Sequence, residues 1–267
     1  MRKNYFLTLL VTLFVTSLPF GQVTLPHYEG FDYAVGTDIA TTANWENFSG
    51  TDNTIDVVAG SLSYSGFADP TGNSINMVGG FQDDRITFSE VTTGTVYASF
   101  LLDVNSVADI TDTTDGGYFA IFGSTTNSFR ARLWVKPTTD NTSTTVDFAY
   151  TNASSGSGFG ATQNLNETIL VVMSYNVDNG EINAWINPDS SSFEAGTPPA
   201  ADFTNTDGSP TSIDRFMLRQ DSTGETPDMD MDELRIGTTW ASVTPSGTVN
   251  TDPVSYTHLT LPTICSV

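Results

Sequence analysis

Apolar and polar positions along this chain fall into short runs rather than helical stripes. No segment of helical length places apolar residues at i, i+3, i+4 and i+7, the spacing that gives a helix one apolar face. β-Branched and aromatic runs recur instead. They lie at Ile55–Val58, Leu62–Tyr64, Ser74–Val78, Arg85–Phe88, Thr95–Val104 and Tyr118–Phe122. Further runs follow at Phe129–Val135, Val146–Tyr150, Ile169–Tyr175, Glu181–Ile186, Ile213–Leu218 and Met229–Ile236. Gly, Asn and Asp separate them, and many short strands between turn residues predict a sandwich or barrel. In Phe129-Arg-Ala-Arg-Leu-Trp-Val135, strict alternation sets Arg130, Arg132 and Trp134 on one face. Phe129, Ala131, Leu133 and Val135 occupy the other, which reads as the core face. Asp178-Asn-Gly180 predicts a hairpin turn, because Asn-Gly accepts positive φ at low cost. The Ser-, Gly- and Pro-rich stretches Thr151–Gly160 and Asp189–Pro210 predict surface loops.

The two ends follow other rules. Arg2 and Lys3 precede an apolar run from Tyr5 to Leu18 and a short exit over Pro19 to Gln22. That is the pattern of a secretory signal peptide, expected over residues 1–21, and the run is too short for a comfortable membrane span. Val254-Ser-Tyr-Thr-His-Leu-Thr-Leu-Pro-Thr263 resembles a translated sequencing adapter, so residues 254–267 are expected to be an artefactual tail of a truncated larger protein. Residues 246–253 are expected to begin a linker. The single Cys, Cys265, and one of two His, His258, lie in that tail. The domain from 22 to 245 is therefore expected to have neither disulfide nor Cys/His zinc site.

Composition sharpens the reading. The chain has 31 Asp and Glu against nine Lys and Arg, a net charge of −22. Such a surface repels nucleic acid and anionic membranes, so neither nucleic-acid binding nor membrane insertion is expected. Seventeen Phe, nine Tyr and four Trp supply a core, which argues against disorder.

Three places carry a family resemblance. The opening His27-Tyr-Glu-Gly-Phe-Asp-Tyr33, with Gly36-Thr37, resembles the first strand of a LamG-like module. Leu170-Val-Val-Met-Ser-Tyr175 and Glu181-Ile-Asn-Ala-Trp-Ile-Asn-Pro188 resemble its central hairpin, although Asn187-Pro188 stands where many such modules have Asn-Gly. Met231-Asp-Glu-Leu-Arg-Ile-Gly237 with Thr239-Trp240 resembles its closing strand. Together they cover most of residues 25–245. The resemblance implies a concanavalin A-like fold: all-β, a two-sheet antiparallel jelly-roll sandwich. It also implies binding or adhesive roles and a structural Ca²⁺. Glycoside hydrolases share this fold class, so fold alone does not decide catalysis.

Candidate chemistry is sparse. In Asp228-Met-Asp-Met-Asp-Glu233, Asp228, Asp230 and Asp232 share one strand face. Glycosidase carboxyls about 5–5.5 Å apart could be met by alternate strand positions, but the Glu-x-Asp-x-x-Glu motif of hydrolases with this fold is missing. Ca²⁺ takes six to eight oxygen ligands, and the adjacency of first and last strands in this fold class makes Glu29, Asp32 and Asp232 its candidate set. Asp109, Asp112 and Asp115 lack the spacing of an EF-hand and read as a solvated loop. His27 has no identifiable nucleophile or acid as partner. Trp134 with Arg130 and Arg132 is the candidate ligand surface, since aromatic faces stack on apolar sugar faces. No catalytic residues are assigned. The expected function is a secreted, non-catalytic module that binds a polysaccharide or cell-surface glycan, or mediates adhesion. A glycoside hydrolase or polysaccharide lyase and a structural spacer are the alternatives.

Overall fold

The computed structural model describes residues 21–80, 82–124, 128–206 and 209–247. The expected signal peptide at 1–21, apart from Gly21, and the tail at 254–267 lie outside the described residues. Among the described residues no helix is long and apolar enough to cross a membrane.

Among the described residues fifteen strands form two antiparallel sheets packed as a sandwich. In chain order they are β1 (His27–Glu29), β2 (Trp45–Ser49), β3 (Asp56–Val58), β4 (Ser74–Met77), β5 (Asp83–Val91), β6 (Thr95–Ser106), β7 (Gly117–Ser124) and β8 (Ser128–Pro137). Then come β9 (Thr145–Thr151), β10 (Gly160–Asn164), β11 (Ile169–Asn176), β12 (Glu181–Ile186), β13 (Phe203–Thr206), β14 (Ile213–Arg219) and β15 (Asp228–Gly237). One sheet has the order β13-β12-β11-β6-β15-β4-β3, with β1 also paired to β15; the other runs β10-β9-β8-β7-β14-β5-β2. Long β15 serves two neighbours along one edge, β4 opposite Met229–Met231 and β1 opposite Leu234–Ile236.

The sandwich forms because alternate residues of both sheets are apolar and face each other. Phe100 of β6 meets Phe119 of β7 and Phe216 of β14, each at a centroid distance of 6.2 Å. Trp45, Phe31 and Phe88 close one end, all fully buried. The β11–β12 hairpin occurs as expected, with Gly180 at φ 74° and its N–H bonded to the Asn176 carbonyl. Leu62–Tyr64 is not a strand. Leu62 and Tyr64 pack instead into a second apolar cluster. Three strands were not expected: Trp45–Ser49, Gly160–Asn164, which begins where the first stretch read as a loop ends, and Phe203–Thr206, inside the second. Each lies in the outer part of its sheet and is rich in polar residues.

That second cluster covers the outer side of the first sheet. Leu101, Leu170, Val172 and Trp185 project from it, and Phe67, Phe193, Trp240 and Val243 lie over them. Trp185 and Trp240 meet edge-on at 5.0 Å. Trp240 opens a single helical turn, α1 (Trp240–Val243), capped by Thr239 and Ser242. Its indole N–H donates to the Ser192 carbonyl at 2.7 Å, and Ser99 Oγ holds the Val243 carbonyl. The chain seals this half of the sheet with its own segments.

Candidate ligand face

The outer side of the second sheet carries a different coat. Its residues follow from register, because directly opposed residues of an antiparallel pair point the same way. Tyr118 lies opposite Trp134, Ile121 opposite Arg132 and Gly123 opposite Phe129. Met217 lies opposite both Ile121 and Arg85, and Glu46 opposite Arg85. None of these side chains belongs to the inter-sheet core.

This register corrects the expected pattern of β8. Ala131 has φ 40°, and pairing with β7 slips by one residue between Ile121 and Phe122. Such a bulge adds one residue and re-aims those before it. Arg130 then lies opposite Phe122, a core residue, and does not join Arg132 and Trp134. Phe129 takes that place instead of facing the core: its ring touches Tyr118 at 6.2 Å and Phe48 at 6.3 Å. Trp134 lies on the outer side but is only 3% exposed. The Tyr118 ring lies against it at 4.7 Å, and its indole N–H finds no partner among the described residues. Tyr118 and Phe129, both half-buried, are the rings nearer the surface.

Arginines lie across these rings. The Arg219 and Arg132 guanidiniums sit 4.2 and 5.3 Å from the Tyr118 centroid, and Arg132 is 5.9 Å from that of Phe129. Arg85 is 5.6 Å from the Phe48 ring. Attraction between cation and ring holds each layer, and the stems shield Ile121 and Met217, both fully buried. Arg132 donates to the carbonyls of Asn152 and Ala153. Lys136 lies 4.8 Å from the Phe159 ring and reaches the carbonyls of Thr113 and Thr114. Three ion pairs complete the face: Arg85 with Glu46 at 2.7 Å, Arg215 with Asp214 at 2.8 Å, and Arg219 with Asp221. Burial pushes the Tyr118 hydroxyl above its ordinary pKa, against the opposing pull of Arg219 and Arg132.

The residues expected to hold calcium do not converge. Glu29 lies opposite Leu234, which faces the inter-sheet core. Its carboxylate accepts from Phe31 N–H at 3.1 Å and Tyr33 O–H at 3.0 Å. Asp232 lies opposite Leu101 on the other side of the sheet. Its two oxygens accept from the backbone N–H groups of Leu62 at 2.8 Å and Glu233 at 2.7 Å. Asp32 is exposed. Among the described residues no three Asp, Glu, His or Cys side chains gather where they could hold a metal ion. The set does not fit the cation that the resemblance implies.

The acidic strand is also committed to structure. Asp228, Asp230 and Asp232 do share one face, since Met229 and Met231 point into the core. The Asn76 amide donates to Asp228 at 2.9 Å and Asp230 at 2.8 Å. Glu233, fully buried at φ 55° beside a break in pairing, accepts from Tyr28 O–H at 2.5 Å, Thr71 N–H at 2.9 Å and Arg235 at 2.8 Å. Arg235 in turn is held by the Tyr28 and Phe67 rings at 4.5 and 4.7 Å. Asp112 caps its own loop through the N–H groups of Thr114 and Asp115. His27 is half-buried at the start of β1, and burial lowers its pKa. A cavity of about 90 Å³ lies between Val78, Ile110, Pro227 and Asp228, well under the roughly 300–1,000 Å³ of small-molecule sites.

No family model matches the chain, and no curated protein matches it. Solved structures with a similar course of chain include a GH43 glycoside hydrolase with engineered endo-xylanase and exo-arabinofuranosidase activity (11% identity, TM-score 0.47, 80% of this chain and 41% of that one). A sialidase (10%, TM-score 0.44, 79% and 19%) and the binding domain of botulinum neurotoxin serotype D (12%, TM-score 0.40, 74% and 44%) are also similar. This chain thus spans less than half the length of each of these three proteins.

Proposed function

We propose that this domain is a secreted, non-catalytic module that binds carbohydrate through the outer face of its second sheet. The observation that carries the reading is the contrast between the two outer faces. The first sheet covers half of its outer side with its own loops and α1. The second presents Tyr118, Phe129 and Phe48 beneath a layer of guanidinium groups. Forked donors spread over a bed of aromatic rings suit a sugar, whose rim of hydroxyls meets the donors while its C–H groups meet the ring edges between them. An extended face suits a polymer better than a small molecule.

The acidic strand supports a structural role better than a hydrolase, since its carboxylates are held by Asn76, Tyr28, Thr71, Arg235 and backbone N–H groups. The test is native affinity electrophoresis of the full chain in gels that contain single polysaccharides. Retardation by at least one polymer is expected, lost in Tyr118→Ala. Migration unchanged in every gel would overturn the reading. Release of reducing ends by the purified chain, abolished in Asp230→Asn, would replace it with the hydrolase alternative.

A further inference from the structure

Arg2 and Lys3 apart, the chain has seven Lys and Arg. Five of them, Arg85, Arg132, Lys136, Arg215 and Arg219, lie on the outer face of the second sheet or at its rim. The same face holds the carboxylates of Glu46, Asp83, Asp147, Asp214 and Asp221, with Asp83 directly opposite Arg219, so its charges balance while the remaining acidic residues leave the rest of the molecule strongly negative. A net charge of −22 repels an anion from most directions, and among the described residues this face is where the cations gather and the repulsion is weakest.

We propose that the glycan taken by this face is anionic, carrying carboxylate or sulfate groups along its length. This rests on the glycan-binding reading above and names its ligand class. Arg132 and Arg219 approach one Tyr118 ring, at 5.3 and 4.2 Å. A sugar laid along this guanidinium layer beside Tyr118 and Phe129 would place its acidic substituent within reach of a guanidinium fork, which matches carboxylate and sulfate oxygens two at a time. Lys136, opposite Asp147, adds a donor at the β8–β9 rim. Arg85 is shared with Glu46 at 2.7 Å, so an incoming anion competes with that carboxylate.

The test runs the full chain against alginate and polygalacturonate (uronate), carrageenan and chondroitin sulfate (sulfate), and laminarin and xyloglucan (neutral). Salt is 50 and 500 mM NaCl, and hits are quantified by calorimetry. Retardation confined to the anionic polymers is expected, with at least a tenfold loss of affinity at the higher salt. Uronate and sulfate polymers tell the two anions apart. Arg219→Gln is expected to weaken binding tenfold or more. Glu46→Gln, which frees Arg85 from its rival, is expected to tighten binding to the anionic polymer severalfold, a gain that a folding defect cannot mimic. Equal binding of neutral polymers without salt dependence would overturn the anionic inference and leave the glycan reading standing. Binding to no polysaccharide, or to acidic proteins alone, would overturn both.

Discussion

Single residues on this molecule divide into those that touch solvent and those that hold others in place. Trp134 is of the second kind. Trp134→Ala is expected to cost about 3–5 kcal/mol, as buried aromatic truncations do, and a denaturant titration would show it as a lower midpoint. Tyr118→Ala is expected to lose ligand first and stability second, because Tyr118 is half-buried. Three carboxyls set the response to pH. Burial raises Asp83 and Asp232 to about 7, and Asp84 to about 6. A carboxyl raised on folding costs nothing while it stays protonated in both states. Its penalty grows from about pH 4 and is complete above the folded value. For Asp83, a rise from 3.8 to about 7 corresponds to roughly 4 kcal/mol. Thermal melts should therefore give a higher midpoint at pH 5 than at pH 8, with a flatter profile for Asp83→Asn. A midpoint that rises steadily to pH 8 would contradict this. Glu29 and Asp232 spend their oxygens on protein donors, so chelation is expected to leave the midpoint unchanged. A fall of several degrees with EDTA, reversed by Ca²⁺, would restore the metal.

At the scale of the element, the informative piece is β8. Its alternation was fully legible in the sequence from Ala131 onward, where Ala131, Leu133 and Val135 do face the core. One extra residue inverted everything before it. Nothing in Phe129-Arg-Ala-Arg marks that insertion, because the bulge position is Ala and not the Gly that would announce a positive φ. Most strands were visible from their own apolar runs, since a face buried between two sheets must be apolar. The three missed strands gain their pairing from neighbours instead of from a run of their own. Trp134 was misjudged in a related way. Alternation tells which side of a sheet a residue takes, and Tyr118 across the ladder decides whether that side is open. Ala131→Val should sharpen the point. A β-branched residue at φ 40° in a fully buried site is expected to cost about 1–3 kcal/mol. A melt indistinguishable from the parent would show that the strand can do without the bulge.

For the whole molecule, two sheets with different coats make an object with a back and a front. The back is finished by the chain itself: Ser246 pairs with Phe67, and Gly247 N–H bonds to the Gly66 carbonyl. Trp240→Ala would open that back, and the expected loss of about 3–5 kcal/mol should come with increased dye binding to exposed apolar surface while retardation by polysaccharide is unchanged. Ser246 and Gly247 therefore lie on the side opposite Tyr118 and Arg219. A bead, chip or membrane coupled to that back, for example through Ser246→Cys, would carry the domain like a brush carries bristles, with the Tyr118 face turned outward and none of it lost against the support.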